Sequence, residues 1–278
     1  MSRDNTGTCD HADIGPQRRR VRRRFGPAEA VADALREQIL SGEVGEGDLI
    51  PKLEDLVSEF GVSKPAAREA CRILQTEGLV SVVRGNVGGA IVHRPTPATA
   101  AYTVGLVLES RAVAMPDVAA AIERFEPLCA EWCAEREDRL TAVLPALEAC
   151  QVDLVAAAES GDGEAAARAA RRWHESLVAN CGNESAAVVL GTLVEIFTAH
   201  VEMEASQFRA RGVSLSDELT RRTIAEHAHI AELIAAGDAG AAAAAARAHL
   251  RTARIHPDDG GAYDSVVRAH TVRDRTSG

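Results

Sequence analysis

Apolar residues recur at helical spacing through most of the chain. Ala30, Val31, Ala34, Leu35 and Ile39 mark a first helix, with Pro27 in its opening turn and Gly42 at its end. Leu53, Leu56, Val57 and Phe60 mark a second over residues 52–60, and Gly61 breaks it. Ser63 is the expected N-cap of a third, with Pro65 in its first turn, running to Thr76 before Gly78. Two β-like runs follow, 79–84 and 90–92, around the turn Gly85-Asn86-Val87-Gly88-Gly89. Three helices and a small hairpin in this order predict a winged helix-turn-helix over residues 26–94.

Residues 95–116 read as a linker broken by Pro95, Pro97 and Pro116, with a short helix at 102–110. Beyond it the pattern gives six helices, at 117–137, 141–160, 163–180, 185–211, 216–236 and 238–255. Ser214 with Asp217 reads as a capping box, Gly237 as a helix end and Pro257 as a stop. The short connections suit an antiparallel bundle over 117–256. Residues 1–25 read as a disordered basic arm carrying Arg18, Arg19, Arg20, Arg22, Arg23 and Arg24, and 257–278 as a polar tail. The fold class expected is mainly α: an N-terminal winged helix-turn-helix plus a C-terminal antiparallel all-helical bundle.

Composition sharpens this picture. Aromatic residues are 3% of the chain against 46% hydrophobic overall, and alanine runs are frequent, which favours helices over sheets. No uninterrupted apolar stretch of about 20 residues and no N-terminal apolar core is found, so neither a membrane span nor secretion is expected. A cytoplasmic location follows as the expectation. The six cysteines, Cys9, Cys71, Cys129, Cys133, Cys150 and Cys181, form no CxxC pair and are expected as reduced thiols. Cys129 and Cys133 stand one helical turn apart, but core packing is the preferred reading.

The net charge of −10 hides an asymmetry. Residues 17–94 hold 13 Lys+Arg and 11 Asp+Glu, so +2; the remainder holds 18 and 30, so −12. DNA affinity depends on positive charge local to the phosphates, so the whole-chain value does not exclude nucleic acid. Within the third helix, a rotation of about 100° per residue puts Lys64, Arg68 and Arg72 along one edge. Ala67, Ala70, Ile73 and Leu74 fall on the other side. One face packs and the other is free to enter a major groove, where Arg bridges guanine O6 and N7. Arg84 and Gly85, at the hairpin turn, would let the wing approach the backbone.

At this point the sequence resembles a known family. The run from Gly61 through Ser63-Lys64-Pro65-Ala66-Ala67-Arg68-Glu69-Ala70, then Leu74-Gln75-Thr76-Glu77-Gly78-Leu79-Val80, is similar to the GntR signature. Ile39-Leu40-Ser41-Gly42 and Gly47-Asp48-Leu49-Ile50-Pro51 fit the same pattern. The resemblance implies a DNA surface at Ser63, Lys64, Arg68, Arg84 and Gly85; the helical edge adds Arg72. Two positions depart from it: Leu53-Glu54 replaces a Glu-Arg pair, and Lys64 stands where arginine is more frequent. Glu54 in that place would repel phosphate.

Three histidines lie on apolar faces of the bundle helices. His174 sits beside Trp173 and the Leu177/Val178 pair, His227 shares a face with Leu219, Thr223, Ile230 and Ile234, and His249 follows Ala245 by one turn. Hydrogen-bonded core imidazoles and ligands to a divalent metal are both open readings of such a set. Residues 121–251 resemble the FCD ligand-binding domain of the FadR-type subgroup. The matching pieces are Trp173-His174 with Gly182-Asn183, Glu226-His227 through Gly237-Asp238, and Ala248-His249.

That resemblance implies a zinc or other divalent ion on His174, His227 and His249, with a carboxylate effector beside it. It also implies an aspartate where this chain has Ala170, and an arginine where it has Ile122. Arg171, Asn183 and His200 are the candidate effector contacts. The function expected is a homodimeric transcription regulator, most simply a repressor, that binds a palindromic double-stranded operator and senses a small carboxylate. It would have no enzymatic activity and no membrane partner. A metal-dependent hydrolase using the three histidines, and a DNA-binding protein without an effector, are the alternatives.

Overall fold

The computed structural model describes residues 26–83, 89–209, 217–253 and 265–276. The chain divides into two compact units between Arg94 and Pro95.

The first unit holds α1 (Pro27–Ser41), α2 (Leu53–Phe60), α3 (Lys64–Thr76), β1 (Val80–Val83) and β2 (Gly89–Val92). The strands pair antiparallel, Val80 opposite Val92, and Leu49 adds a single bridge to Ile91. Val31, Leu35, Ile39, Leu56, Ala67, Ala70, Leu74, Leu79 and Val92 form one buried cluster. The helical stripe of α3 therefore faces the core as its spacing required. Gly61 holds φ +62° between α2 and α3, a left-handed conformation that only glycine adopts at no steric cost. Arg36 on α1 donates from Nε to Glu77 Oε2 at 2.9 Å and from a terminal nitrogen to Oε1 at 2.7 Å, clamping α1 to the end of α3. The expected arm at 1–25, and the wing residues Arg84 and Gly85, lie outside the described residues.

The second unit is helical: α4 (Pro97–Ser110), α5 (Met115–Glu135), a π-helical turn (Arg139–Val143) running into α6 (Leu144–Glu159), α7 (Gly163–Ala179), α8 (Glu184–Arg209), α9 (Asp217–Ala236), α10 (Ala239–Ala253) and α11 (Ala269–Thr276). α5 packs on α10, α6 on α7 and α9, and α8 on α4, α5, α7 and α11. The core is built on Met115, Leu147, Trp173, Leu177, Ile196, Ile230 and Ile234. The expected fold class is the one observed. The stretches Arg139–Glu159 and Glu184–Met203 are long and apolar enough to cross a membrane by length and composition. Here each packs one side against neighbouring helices of the second unit.

Two expectations need correction. The segment read as a linker carries a full helix, α4, which packs on α8 and α11; a proline at its start is compatible with a first helical turn and does not break it. The segment read as a tail is part of the core from residue 265. Val267, Ala269 and Val272 are buried, and Ala114 bridges Val266. The Ala269 amide donates to Glu109 Oε2 at 2.8 Å. A few apolar residues among many polar ones give too short a pattern to mark a packed element. Their burial depends on the groove that α4 and α8 present.

Candidate functional site

In the first unit, Ser63, Lys64, Arg68 and Arg72 are all exposed, while Ala67, Ala70 and Leu74 are buried behind them. Ser63 caps α3, its Oγ accepting from the Ala66 amide at 3.4 Å. Lys64 Nζ lies 3.6 Å from Glu54 Oε1, and Arg72 pairs with Glu69 at 2.5 Å. Arg68 makes no ion pair among the described residues. The helix thus presents a cationic edge outward and an apolar stripe inward.

In the second unit, the sequence brings three imidazoles together from three helices. His227 Nε2 lies 3.1 Å from His249 Nε2 and 3.3 Å from His174 Nε2, and the third edge is 3.2 Å. His227 and His249 are buried, and His174 nearly so. Trp173 stacks flat on the His227 ring, centroids 4.1 Å apart, and fixes its plane.

Two carboxylates complete the arrangement from behind. His174 Nδ1 meets Glu126 Oε1 at 2.5 Å, and His249 Nδ1 meets Glu226 Oε2 at 2.7 Å. A carboxylate only accepts, so each Nδ1 carries the proton and each neutral ring turns a bare Nε2 lone pair to the centre. Two such lone pairs 3.2 Å apart repel. His227 has a single proton to offer and cannot satisfy both. A metal ion at the centre would accept all three lone pairs at once.

The three rings differ in their electrostatics. Burial opposes charging of His174, but the charge and hydrogen bond of Glu126 outweigh it and raise its pKa. Burial, then the other two imidazoles, pushes His227 well below the ordinary histidine value. Burial and His174 lower His249 against the pull of Glu226. Glu226 itself is lowered: burial opposes this, but hydrogen bonds from His249 and Arg222 prevail.

The triangle fits a metal ion. Zinc–nitrogen bonds of about 2.0–2.1 Å at tetrahedral angles separate neighbouring nitrogens by about 3.3 Å. The carboxylates are where outer partners of ligating histidines stand, orienting each ring and raising its basicity. His174, His227 and His249 would hold the ion, which would supply a Lewis-acidic centre for an anionic oxygen. No carboxylate joins the three nitrogens as a direct donor among the described residues. Ala170 is half-buried against the Leu154, Ala157, Ala166 and Ala169 cluster, and Ile122 is in the core.

The candidate effector residues take other positions. Arg171 pairs with Glu202 at 2.9 Å, half-buried. Asn183 is exposed, and its Oδ1 accepts from the Ala186 amide at 3.0 Å, starting α8. His200 is buried and contacts Ser265 Oγ through Nε2 at 2.6 Å, tying α8 to the segment before α11. Cys129, Cys133 and Cys181 are buried and free of disulfides, and burial pushes the Cys133 thiol up to about 12.

Sequence reasoning passed over Glu126, Glu226 and Trp173 as site residues. The signal for Glu126 was present: it is a carboxylate on the apolar stripe of Ala119, Ile122, Ala130 and Cys133.

Comparison with known proteins decides the family. Residues 27–88 match the profile of bacterial regulatory proteins of the gntR family, and residues 117–252 that of the FCD domain. The chain is a GntR-family regulator with an FCD domain. The families matched are those of regulators, not enzymes, so the hydrolase alternative falls.

An uncharacterized HTH-type transcriptional regulator of Streptomyces coelicolor is 40% identical over 67 residues, 24% of either chain. The HTH-type transcriptional repressor NanR of Klebsiella aerogenes is 38% identical over 82 residues, 30% of this chain and 31% of its own length. The matches thus span about a quarter to a third of these relatives. The solved structure of a Streptococcus agalactiae GntR protein covers 82% of this GntR-family chain and 98% of its own, with a TM-score of 0.61 at 22% identity, which shows a shared fold.

Proposed function

We propose that this GntR-family chain is a cytoplasmic transcriptional repressor that binds a palindromic operator as a homodimer and is released by a small carboxylate. DNA contact runs through Ser63, Lys64, Arg68 and Arg72, and Arg84 and Gly85 are further contacts that the sequence pattern suggests. The repressor sense is supported by NanR of Klebsiella aerogenes, a transcriptional repressor that resembles the DNA-binding part of this chain. The dimer is supported by symmetry, since two recognition helices read a two-fold site.

The observation that carries the sensing half is the Nε2 triangle, 3.1–3.3 Å on each edge, with its two carboxylate partners. It holds a divalent cation through three neutral donors, which leaves the positive charge uncompensated by any direct carboxylate ligand. An anionic oxygen from a metabolite supplies that charge. The effector regulates only in so far as it binds the DNA-competent and incompetent states with different affinity.

A mobility-shift titration against the chain's own upstream DNA tests this, with and without zinc and a panel of carboxylates. Release of DNA by one carboxylate, dependent on zinc, is the expected result. Binding that no carboxylate alters would reject the sensor and leave a DNA-binding protein without an effector.

A further inference from the structure

Lys64 and Glu54 meet across the helix-turn-helix. Glu54 belongs to the first turn of α2 and Lys64 opens α3, with their charged atoms 3.6 Å apart. The two side chains are 84% and 50% exposed, so the pair contributes little to folding. What it changes is the charge that α3 offers to a duplex. Of the three cations on the outward edge, Lys64 is drawn to Glu54 and Arg72 to Glu69. Arg68 alone is without an ion pair among the described residues. Asp55, next to Glu54, is exposed as well, and Lys52 is the nearest cation in sequence.

A carboxylate at this edge has restricted choices on DNA. Phosphates repel it, and so do guanine O6 and N7 and thymine O4, which are acceptors. In the major groove, the donors available are the exocyclic amino groups, N4 of cytosine and N6 of adenine.

We propose that Glu54 is a specificity-determining residue of the DNA interface: it offsets part of the Lys64 charge and accepts a hydrogen bond from a base amino group. This deepens the reading of α3 as the DNA-contacting helix and rests on it. Duplexes that present an acceptor opposite Glu54 repel its carboxylate and bind poorly. Discrimination arises as much from that penalty as from the contact at the right site.

The test uses the full chain, Glu54→Ala and Arg68→Ala, with two probes: a mixed-sequence duplex, and selection from a randomised duplex pool. The exposed position of Glu54 predicts a nearly unchanged melting temperature for Glu54→Ala. At about 100 mM KCl this variant should bind the mixed duplex about three- to tenfold tighter, with a log–log salt slope steeper by about 1. Its selected sequences should lose their preference at one base pair in each half-site.

Unchanged affinity, slope and preference, alongside an Arg68→Ala variant that binds at least about tenfold more weakly, would overturn the role of Glu54 and leave the DNA reading standing. Tighter binding with unaltered selected sequences would also overturn it, because repulsion alone would then explain the gain. If Arg68→Ala binds as the wild type does, the DNA reading itself fails and the role of Glu54 with it.

Discussion

Arg68 stands out from α3 between two cations that are already paired, so it carries the largest share of the unneutralised charge. Arg68→Ala should cost about 1–3 kcal/mol of affinity for a selected duplex, and Arg72→Ala less, by fluorescence anisotropy at fixed salt. At the triad, His227→Gln keeps most of the bulk against Trp173 but removes a donor. Zinc content by mass spectrometry should fall from about one ion per chain to near none. Glu226→Gln leaves all three nitrogens and weakens only the orientation of His249. Zinc affinity should drop about 10–100-fold, read by competition with a chromogenic chelator. Equal affinity in Glu226→Gln and wild type would mean that the carboxylate does no more than solvate the ring.

At the scale of elements, α3 and α11 show opposite degrees of legibility. Ser63, Pro65 and the stripe of Ala67, Ala70 and Leu74 announce α3 in the sequence, because cap, first turn and period agree. Nothing comparable announces α11, whose Val272 is fully buried although the surrounding sequence is polar. Val272→Ala removes two methylene equivalents from that contact and should lower the stability of the helical unit by about 1.5 kcal/mol. Chemical denaturation followed by far-ultraviolet circular dichroism checks it. An unchanged midpoint would mean that α11 is not a cooperative part of the unit. α4 was half legible for the same reason: its C-terminal half reads as a helix, but Pro95 and Pro97 disguise the start.

For the molecule as a whole, two units with separate cores should respond separately to a ligand that binds one of them. Zinc at a hundredfold excess over its dissociation constant should stabilise the helical unit by about 2.7 kcal/mol. Calorimetry should then show one transition moving up with zinc and back with chelator, while the other stays in place. Two transitions that move together would show that the units unfold as one.

Hydrophobic period, caps and the positions of Gly and Pro determined most of the helices, the small hairpin and the outward edge of Lys64, Arg68 and Arg72. These are local properties: a residue's face on a helix follows from its spacing alone. The sequence also placed His174, His227 and His249 on apolar faces, but it left open whether they meet. Only the tertiary structure decided that, bringing together nitrogens 22, 53 and 75 residues apart, and Glu126 to His174 from 48 residues away. Period fixes which way a side chain points. Which side chain it then meets depends on how whole helices pack, and that is set by the sum of the core and by no single stretch of the chain.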